Sequence, residues 1–451
     1  MEEKKKNKSE NFFYIENFGC QMNLSDSEIV ASILLKCGYQ LSQKVENANL
    51  ILFNSCSIRK KAEISLKKKI DELEYLRKKN GIFFGIIGCI SKSNRELLDK
   101  KIDFFLNPNA YKKIPYIIRS LNQGELIKKN NILSQKETYE DILPFRFLNQ
   151  EKIKTFLSIT RGCNNMCTFC IVPFTRGREI SRSPNSILHE CHLLYKEGYK
   201  EITLLGQNVD SYKWIEPNSN HKKKIIDFSN LLRIIAENLP FMRIRFSTSN
   251  PHDMSEQVLK VIAQNKNICK HIHLPVQSGS NKILKLMNRK YTREEYLFLI
   301  EKIKSIIPEC SISHDIMTGF CNENEKDHLD TIDLMNQVKY NYGYMFSYSP
   351  RPGTYAYRNL KNNVPDHIKK RRLEEIISLQ RKHSLFRMKE YLGKLQEVLI
   401  ERISKKSDQY WYGKNSQNLG VVFPKKNFKV GDIVHVKIKT VTSATLIGNI
   451  V

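Results

Sequence analysis

No apolar run in this chain approaches the length of a bilayer-spanning helix; the Ile82–Ile90 stretch is far too short. The first ten residues, Met1 to Glu10, are charged and lack the apolar core of a secretory signal, so a cytoplasmic chain with no membrane partner is expected. Cysteine is too sparse, at eleven in 451 residues, for a disulfide scaffold. In a reducing compartment, clustered cysteines are expected to be metal ligands or catalytic groups. Acidic residues are short in number, 47 against 74 Lys and Arg, and the formal charge of +27 implies a polyanionic partner, most simply nucleic acid. A lysine-rich composition that serves solubility is the alternative. No amphipathic helix carries the aromatic-rich apolar face that membrane-surface binding uses. With 41% hydrophobic residues over this length, two or three domains are expected rather than one core.

The first third alternates strand and helix patterns. Phe12–Phe18, Leu50–Phe53 and Ile82–Ile87 read as buried strands. Helical periodicity runs from Asp26 to Lys36 with Ser25 as the expected N-cap, and again over Lys60–Lys79. This predicts an α/β domain with a parallel sheet over residues 11–126. A polar linker is expected over 127–148. From 149 to 382, strand candidates Thr155–Thr160, Ile202–Leu205, Arg243–Ser247, His271–Leu274, Ser311–Met317 and Tyr344–Ser347 alternate with helices. That order suggests a partial (β/α) barrel with its active site at the C-terminal strand ends. Short alternating strands from 384 to 451 predict a small all-β barrel.

Residues 161–170 read Arg-Gly-Cys-Asn-Asn-Met-Cys-Thr-Phe-Cys. Cys163, Cys167 and Cys170 follow a predicted strand, and three thiolates can hold three irons of a [4Fe–4S] cube while the fourth iron stays open. A structural zinc site lacking its fourth ligand is the alternative; the nearest downstream histidine is His189. Cys20, Cys56 and Cys89 stand in similar frames, each after a predicted strand and before a helix. A parallel sheet presents all its C-terminal strand ends on one edge, so these distant residues should meet and can bind a second cluster. Three separately buried cysteines are the alternative. No acid–base pair stands out.

The Cys-x3-Cys-x2-Cys spacing, with Phe169 before its last cysteine, resembles the radical-SAM superfamily. The frames Gly19-Cys20-Gln21-Met22-Asn23, Asp26-Ser27-Glu28, Asn54-Ser55-Cys56-Ser57-Ile58-Arg59 and Gly88-Cys89 resemble the N-terminal domain of that superfamily's methylthiotransferases. The resemblance spans nearly the whole chain. It implies that the open iron chelates S-adenosylmethionine (SAM), whose one-electron cleavage gives a 5′-deoxyadenosyl radical. It implies an auxiliary [4Fe–4S] cluster on Cys20, Cys56 and Cys89, at which the transferred sulfur is held and methylated. Thr160–Arg178 is most similar to the branch acting on isopentenyladenosine in the anticodon arm of tRNA. The other branches, acting on threonylcarbamoyl-adenosine or on a ribosomal-protein aspartate, are the rivals, with a metal-bearing RNA-binding protein as the non-enzymatic one.

Within Leu205-Gly206-Gln207-Asn208-Val209, Gln207 and Asn208 are candidate SAM contacts. An electron donor and a sulfur donor are required partners, and a monomer is expected. Gly319-Phe320-Cys321-Asn322-Glu323-Asn324 departs from the family's Gly-Phe-Pro-Gly-Glu-Thr, which should loosen the turn; Cys321 is not expected to be a ligand. Cys37, Cys191, Cys269, Cys310 and Cys321 share no frame and are expected to be structural. The C-terminal module resembles a TRAM domain. It carries 12 Lys and Arg against 5 Asp and Glu over 384–451, and Tyr410, Trp411, Tyr412 and Phe423 are candidate base-stacking residues.

Overall fold

In the strand Leu50–Ser55 every residue is buried, and the alternation of its side chains decides the architecture around it. Leu50 and Leu52 enter one apolar cluster, while Ile51 and Phe53 enter another. A strand with two buried faces needs helices on both sides. The computed structural model describes residues 11–56, 60–125, 137–147, 151–216 and 225–451. Residues 57–59, part of the second cysteine frame, lie outside the described residues, as do 1–10 and half of the expected linker.

The chain forms two units. The first comprises residues up to 150 together with 161–164 and 171–180; the second holds the remainder. In the first unit, β1 (Phe12–Asn17), β2 (Gln40–Leu41), β3 (Leu50–Ser55), β4 (Phe83–Gly88) and β5 (Phe104–Leu106) form a parallel sheet in the order β2-β1-β3-β4-β5. Helix α1 (Gln21–Lys36) and helix Ile114–Asn122 supply Ile29, Val30, Leu34 and Ile117 to one face. Helix Lys60–Asn80 supplies Leu66, Ile70, Leu73 and Leu76 to the other. Each such side chain contributes about 1.5–3 kcal/mol by leaving water. Within the span expected as a linker, 137–147 packs into the same unit. Tyr139 and Ile142 enter the core, Phe145 N donates to Glu28 O at 3.1 Å, and Ser32 Oγ donates to Leu143 O.

The second unit begins with six parallel strands. Strand Lys154–Ser158 pairs with Glu201–Leu205, which pairs with Arg243–Ser247. His271–His273, Ser311–Thr318 and Tyr342–Ser347 form a second parallel set. A bridge between Ile244 and Ile268 joins the two sets. The helices between strands pack their apolar faces outside this arc, which makes it a partial (β/α) barrel. Helix Asp366–Lys389 then leads to a closed antiparallel-rich barrel of five strands, from Leu395–Ile403 to Thr445–Ile450.

The small barrel plugs the strand-start end of the large one. Arg245 donates to Asn415 O at 2.8 Å and Ser416 O at 3.1 Å, Ser311 Oγ donates to Gln417 O at 2.6 Å, and Asn418 Nδ2 donates to Tyr342 OH at 2.6 Å. The carboxyl ends of the strands, where the sequence places the cysteine loop, are the opposite end.

The strand Tyr410–Asn415 was not expected from sequence. Its alternation sends Trp411 and Gly413 inward, and Trp411 is buried together with Phe423 in the small barrel's core. Neither can stack a base. Of the four aromatic candidates, Tyr410 is exposed and Tyr412, half-buried, carries Arg402 over its ring at 4.1 Å.

Candidate active site

In the first unit Cys20, Cys56 and Cys89 follow the carboxyl ends of β1, β3 and β4, three strands adjacent in the sheet. The Cys20 and Cys56 side chains are hydrogen-bonded to one another, and Arg176 Nε donates to Cys89 Sγ at 3.1 Å. The structure therefore gathers the three. Helix α1 starts at Gln21, not near Asp26, and its N-cap is Cys20 in place of the expected Ser25, which lies buried inside the helix. The thiol consequently lies beside the Asn23 and Met22 backbone N–H groups at the helix N-terminus, without a capping hydrogen bond to either.

The Cys20 pKa falls to about 5. The hydrogen bond from Cys56 is the main cause; burial opposes it, and Arg176 and the two backbone N–H groups add to it. Cys89 shifts the other way, because burial outweighs the nearby Arg176. Gly88 takes φ +84°, and a Cβ there would stand 2.3 Å from Asn54 Oδ1, so only glycine brings β4 this close to the neighbouring strand end.

The family-like polar residues build a buried network behind these thiols. Asn23 Nδ2 donates to Asn54 Oδ1 at 2.8 Å and Ser55 O at 2.6 Å; Asn54 Nδ2 donates to Asn23 O at 2.7 Å and Ser27 Oγ at 2.8 Å. Ser27 Oγ reaches Asn17 Oδ1 at 2.6 Å. Asp26 accepts from Arg161 at 2.5 Å, Arg176 at 2.9 Å and Tyr111 OH at 3.3 Å. Arg161 also lies over the Tyr139 ring at 4.8 Å. Glu28 pairs with Arg146.

Gly162, between Arg161 and Cys163, takes φ +81°, and a Cβ would stand 2.2 Å from Arg178 O. Cys163 N donates to Gly177 O at 3.2 Å.

In the second unit, Cys167 and Cys170 are held by a turn in which Cys170 N donates to Cys167 O at 3.0 Å. Thr168 pins it: its N donates to Met287 O at 3.1 Å and its Oγ1 to Leu286 O at 2.8 Å. Arg289 Nη1 lies 3.4 Å from Cys167 Sγ, while its Nη2 donates to Pro275 O at 2.7 Å and its Nε to Tyr291 OH at 2.8 Å. Phe169 packs edge-on against Phe320 in an apolar cluster with Ile283, Met287 and Tyr348.

Each cysteine set thus has an arginine at one sulfur. Neither Arg176 nor Arg289 was legible from sequence, because single arginines carry no pattern in so basic a chain. The Arg176 signal was its place in the Thr-Arg-Gly-Arg run that closes the cysteine loop.

Gln207 and Asn208 follow the end of strand Glu201–Leu205. Asn208 is buried and donates to Asp253 at 2.6 Å; among the described residues Gln207 Oε1 is buried without a hydrogen-bond partner. Asp210, which sequence reading did not single out, is half-buried, and its carboxylate accepts from Asn250 N at 3.0 Å and Ser249 Oγ at 3.3 Å. Burial pushes its pKa up to about 7.

The turn expected to loosen is closed. Asn322 takes φ +62° where the family pattern has glycine, a conformation asparagine tolerates well, and Glu323 N donates to Phe320 O at 3.0 Å. Cys321 is fully buried in the Phe169 cluster.

Among the described residues, no three His, Cys, Asp or Glu side chains converge on a point that a single metal ion could occupy. A single structural zinc requires such convergence. A four-iron cube instead needs thiolates that reach separate corners, and Cys20, Cys56 and Cys89, gathered at one sheet edge, are thiols of the kind it takes. Among the described residues no helix is long and apolar enough to cross a membrane.

The model of the radical SAM superfamily matches residues 157–335, that of an uncharacterized protein family, UPF0004, matches 12–106, and that of the TRAM domain matches 389–451. Among solved structures, the fold is similar to the radical S-adenosylmethionine methyltransferase TsrM from Kitasatospora setae, at TM-score 0.56 and 11% identity over 77% of each chain. It is also similar to the cobalamin-dependent S-adenosylmethionine radical enzyme OxsB, at 0.55 and 14%, over 80% of this chain and 56% of that one. The chain is 55% identical to the tRNA-2-methylthio-N(6)-dimethylallyladenosine synthase of Karelsulcia muelleri, over 97% of this chain and 98% of the other. It is 51% identical to the synthase of that name from Flavobacterium psychrophilum, over 99% and 95%. At these identities over the full length, the chain belongs to the tRNA-2-methylthio-N(6)-dimethylallyladenosine synthase family of radical-SAM enzymes.

Proposed function

We infer that this enzyme attaches a methylthio group to C2 of N6-isopentenyladenosine (N6-dimethylallyladenosine) beside the anticodon of tRNA, using SAM both as radical source and as methyl donor. The observation that carries the reading is the meeting of Cys20, Cys56 and Cys89 at one sheet edge, in a chain that also has the Cys163, Cys167 and Cys170 loop. Radical generation alone needs only one such set.

In this reading Cys163, Cys167 and Cys170 hold the [4Fe–4S] cluster that takes SAM, with Phe169 packed beside it and Gln207 and Asn208 as candidate SAM contacts. Cys20, Cys56 and Cys89 hold the auxiliary [4Fe–4S] cluster. When bound, these groups supply one-electron, sulfur- and methyl-donating chemistry. The chain's own residues prepare the sites. Before a cluster binds, the Cys56 hydrogen bond, Arg176 and the N-terminus of α1 favour the Cys20 thiolate, the form in which a cysteine ligates metal. Arg289 donates to Cys167 and ties that turn to Pro275. The 414–418 segment closes the strand-start end of the partial barrel, leaving substrate to approach from the strand ends. The base must be splayed from the anticodon loop to reach them.

The same reading divides the chain into a cluster-bearing domain at 11–126, a connecting segment at 127–148, the radical-SAM core at 149–382 and a basic TRAM module at 384–451. It implies an electron donor and a sulfur donor as partners, a cytoplasmic location and a monomeric enzyme.

Nucleoside analysis of tRNA from cells with and without the protein tests the substrate. Loss of the 2-methylthio-isopentenyl nucleoside, with its unthiolated precursor accumulating, is expected. Loss of a threonylcarbamoyl derivative instead, or an unchanged nucleoside profile, rejects the assignment.

A further inference from the structure

Arg176 ends the short helix Val172–Arg176, downstream of the cysteine loop, yet its side chain serves the other cysteine set. It is 2% exposed and reaches three partners: Nε to Cys89 Sγ at 3.1 Å, Nη2 to Asn23 Oδ1 at 3.2 Å, and Nη2 to Asp26 Oδ2 at 2.9 Å. Its Nη1 is buried and has no hydrogen-bond partner among the described residues.

A buried guanidinium is costly unless its charge is balanced. Asp26 cannot balance this one alone, because it also pairs with Arg161, which is equally buried. Two cations share one carboxylate, so the group Arg161–Asp26–Arg176 carries a surplus positive charge in a poorly screened interior. The remaining counter-charge comes from the cysteine set: Cys89 by direct contact, and Cys20 through its charge.

Three thiolates bring a large negative charge to a buried site, and an added anionic sulfur brings more. Hydrogen bonds to ligating sulfurs and the local net charge are the protein's main controls on the potential of an iron–sulfur cluster. We propose that Arg176 is a positioning residue that, through its bond to Cys89 and the charge it shares with Arg161 and Asp26, raises the reduction potential of the auxiliary cluster and offsets the charge of the anionic sulfur placed on it. The proposal rests on the assignment of Cys20, Cys56 and Cys89 as cluster ligands. It gives Asp26 a defined part as well, since Asp26 fixes the guanidinium and sets the size of the surplus.

The experiment uses the full chain with Cys163, Cys167 and Cys170 all replaced by alanine, so that only the auxiliary cluster remains. Iron is counted after anaerobic reconstitution, and the midpoint potential is read by a redox titration followed by electron paramagnetic resonance. Arg176→Met should lower the midpoint. Arg176→Lys, which keeps the charge and loses the fork, should fall between the two. Asp26→Asn, which leaves Arg176 in place and enlarges the surplus, should shift the potential upward. Full iron with an unmoved midpoint in the Lys and Asn variants overturns the proposal, since a merely structural arginine predicts that result. No iron in the parent with its other three cysteines replaced overturns the ligand assignment instead, which separates the two failures.

Discussion

Asp26 and Arg161 are held 2.5 Å apart with both side chains buried, at 0% and 3% exposure. The arginine lies two residues before Cys163, and the aspartate lies on α1, whose N-cap is Cys20. One carboxylate therefore anchors residues from both cysteine motifs. Removing it leaves two guanidinium groups buried without their counter-charge. Asp26→Ala should cost about 3–5 kcal/mol of unfolding free energy, the usual range for breaking a buried pair on one side. Denaturant unfolding of the cluster-free protein reads this directly, and a loss below about 1 kcal/mol contradicts the buried network.

Cys20 should react as a thiolate. With its pKa brought down to about 5, alkylation of the cluster-free protein at Cys20 should be nearly flat above about pH 6. Cys37, which is exposed and shifted upward by partial burial, should react faster as pH rises throughout that range. Peptide mass spectrometry resolves the two sites. Parallel pH profiles for Cys20 and Cys37 would show that the helix N-terminus and Cys56 do not act on Cys20 as described.

Asp210 makes stability depend on pH. Its folded pKa, about 7, lies above the unfolded value of about 3.9, so between these pH values the native state holds a proton that the unfolded state has lost. Stability contributed by this group is therefore fully present in acid and falls as pH rises through about 7, by on the order of 4 kcal/mol at most. Asp210→Asn should remove that slope. Urea midpoints of both proteins across the range should converge in acid and separate in base; curves that stay parallel refute it.

The small barrel separates packing from surface contact at adjacent residues. Trp411 is in its core, with Lys425 Nζ over the ring at 4.7 Å, while Tyr410 points outward. Trp411→Ala should destabilise the barrel by about 3–5 kcal/mol. Tyr410→Ala should stay within about 0.5 kcal/mol of the parent. Equal effects in thermal unfolding would contradict the inward–outward alternation of this strand.

What sequence could show follows from what has a pattern. The meeting of Cys20, Cys56 and Cys89 was legible, because equivalent positions after parallel strands must share an edge. The helix start was misread: Ser25 looks like a cap, but the backbone of Gln21–Leu24 is already helical, and the true cap is a cysteine with no capping side chain bond. The aromatic residues at 410–412 and 423 suggested base stacking until their strand pairing fixed which faces inward. Asn322 restores by its own tolerance of positive φ the turn that a missing glycine was expected to loosen. Arg176 and Arg289 were invisible, since their significance is a distance to a sulfur and not a spacing in the chain.

The central claim is that two cysteine sets divide one reaction between them. Reconstituted Cys20→Ala enzyme, incubated with SAM, reductant and tRNA bearing isopentenyladenosine, tests it most directly when SAM cleavage and modified nucleoside are measured in the same sample. The account predicts that 5′-deoxyadenosine still forms while the methylthio nucleoside does not. Methylthio product at the level of the unmodified enzyme would contradict it.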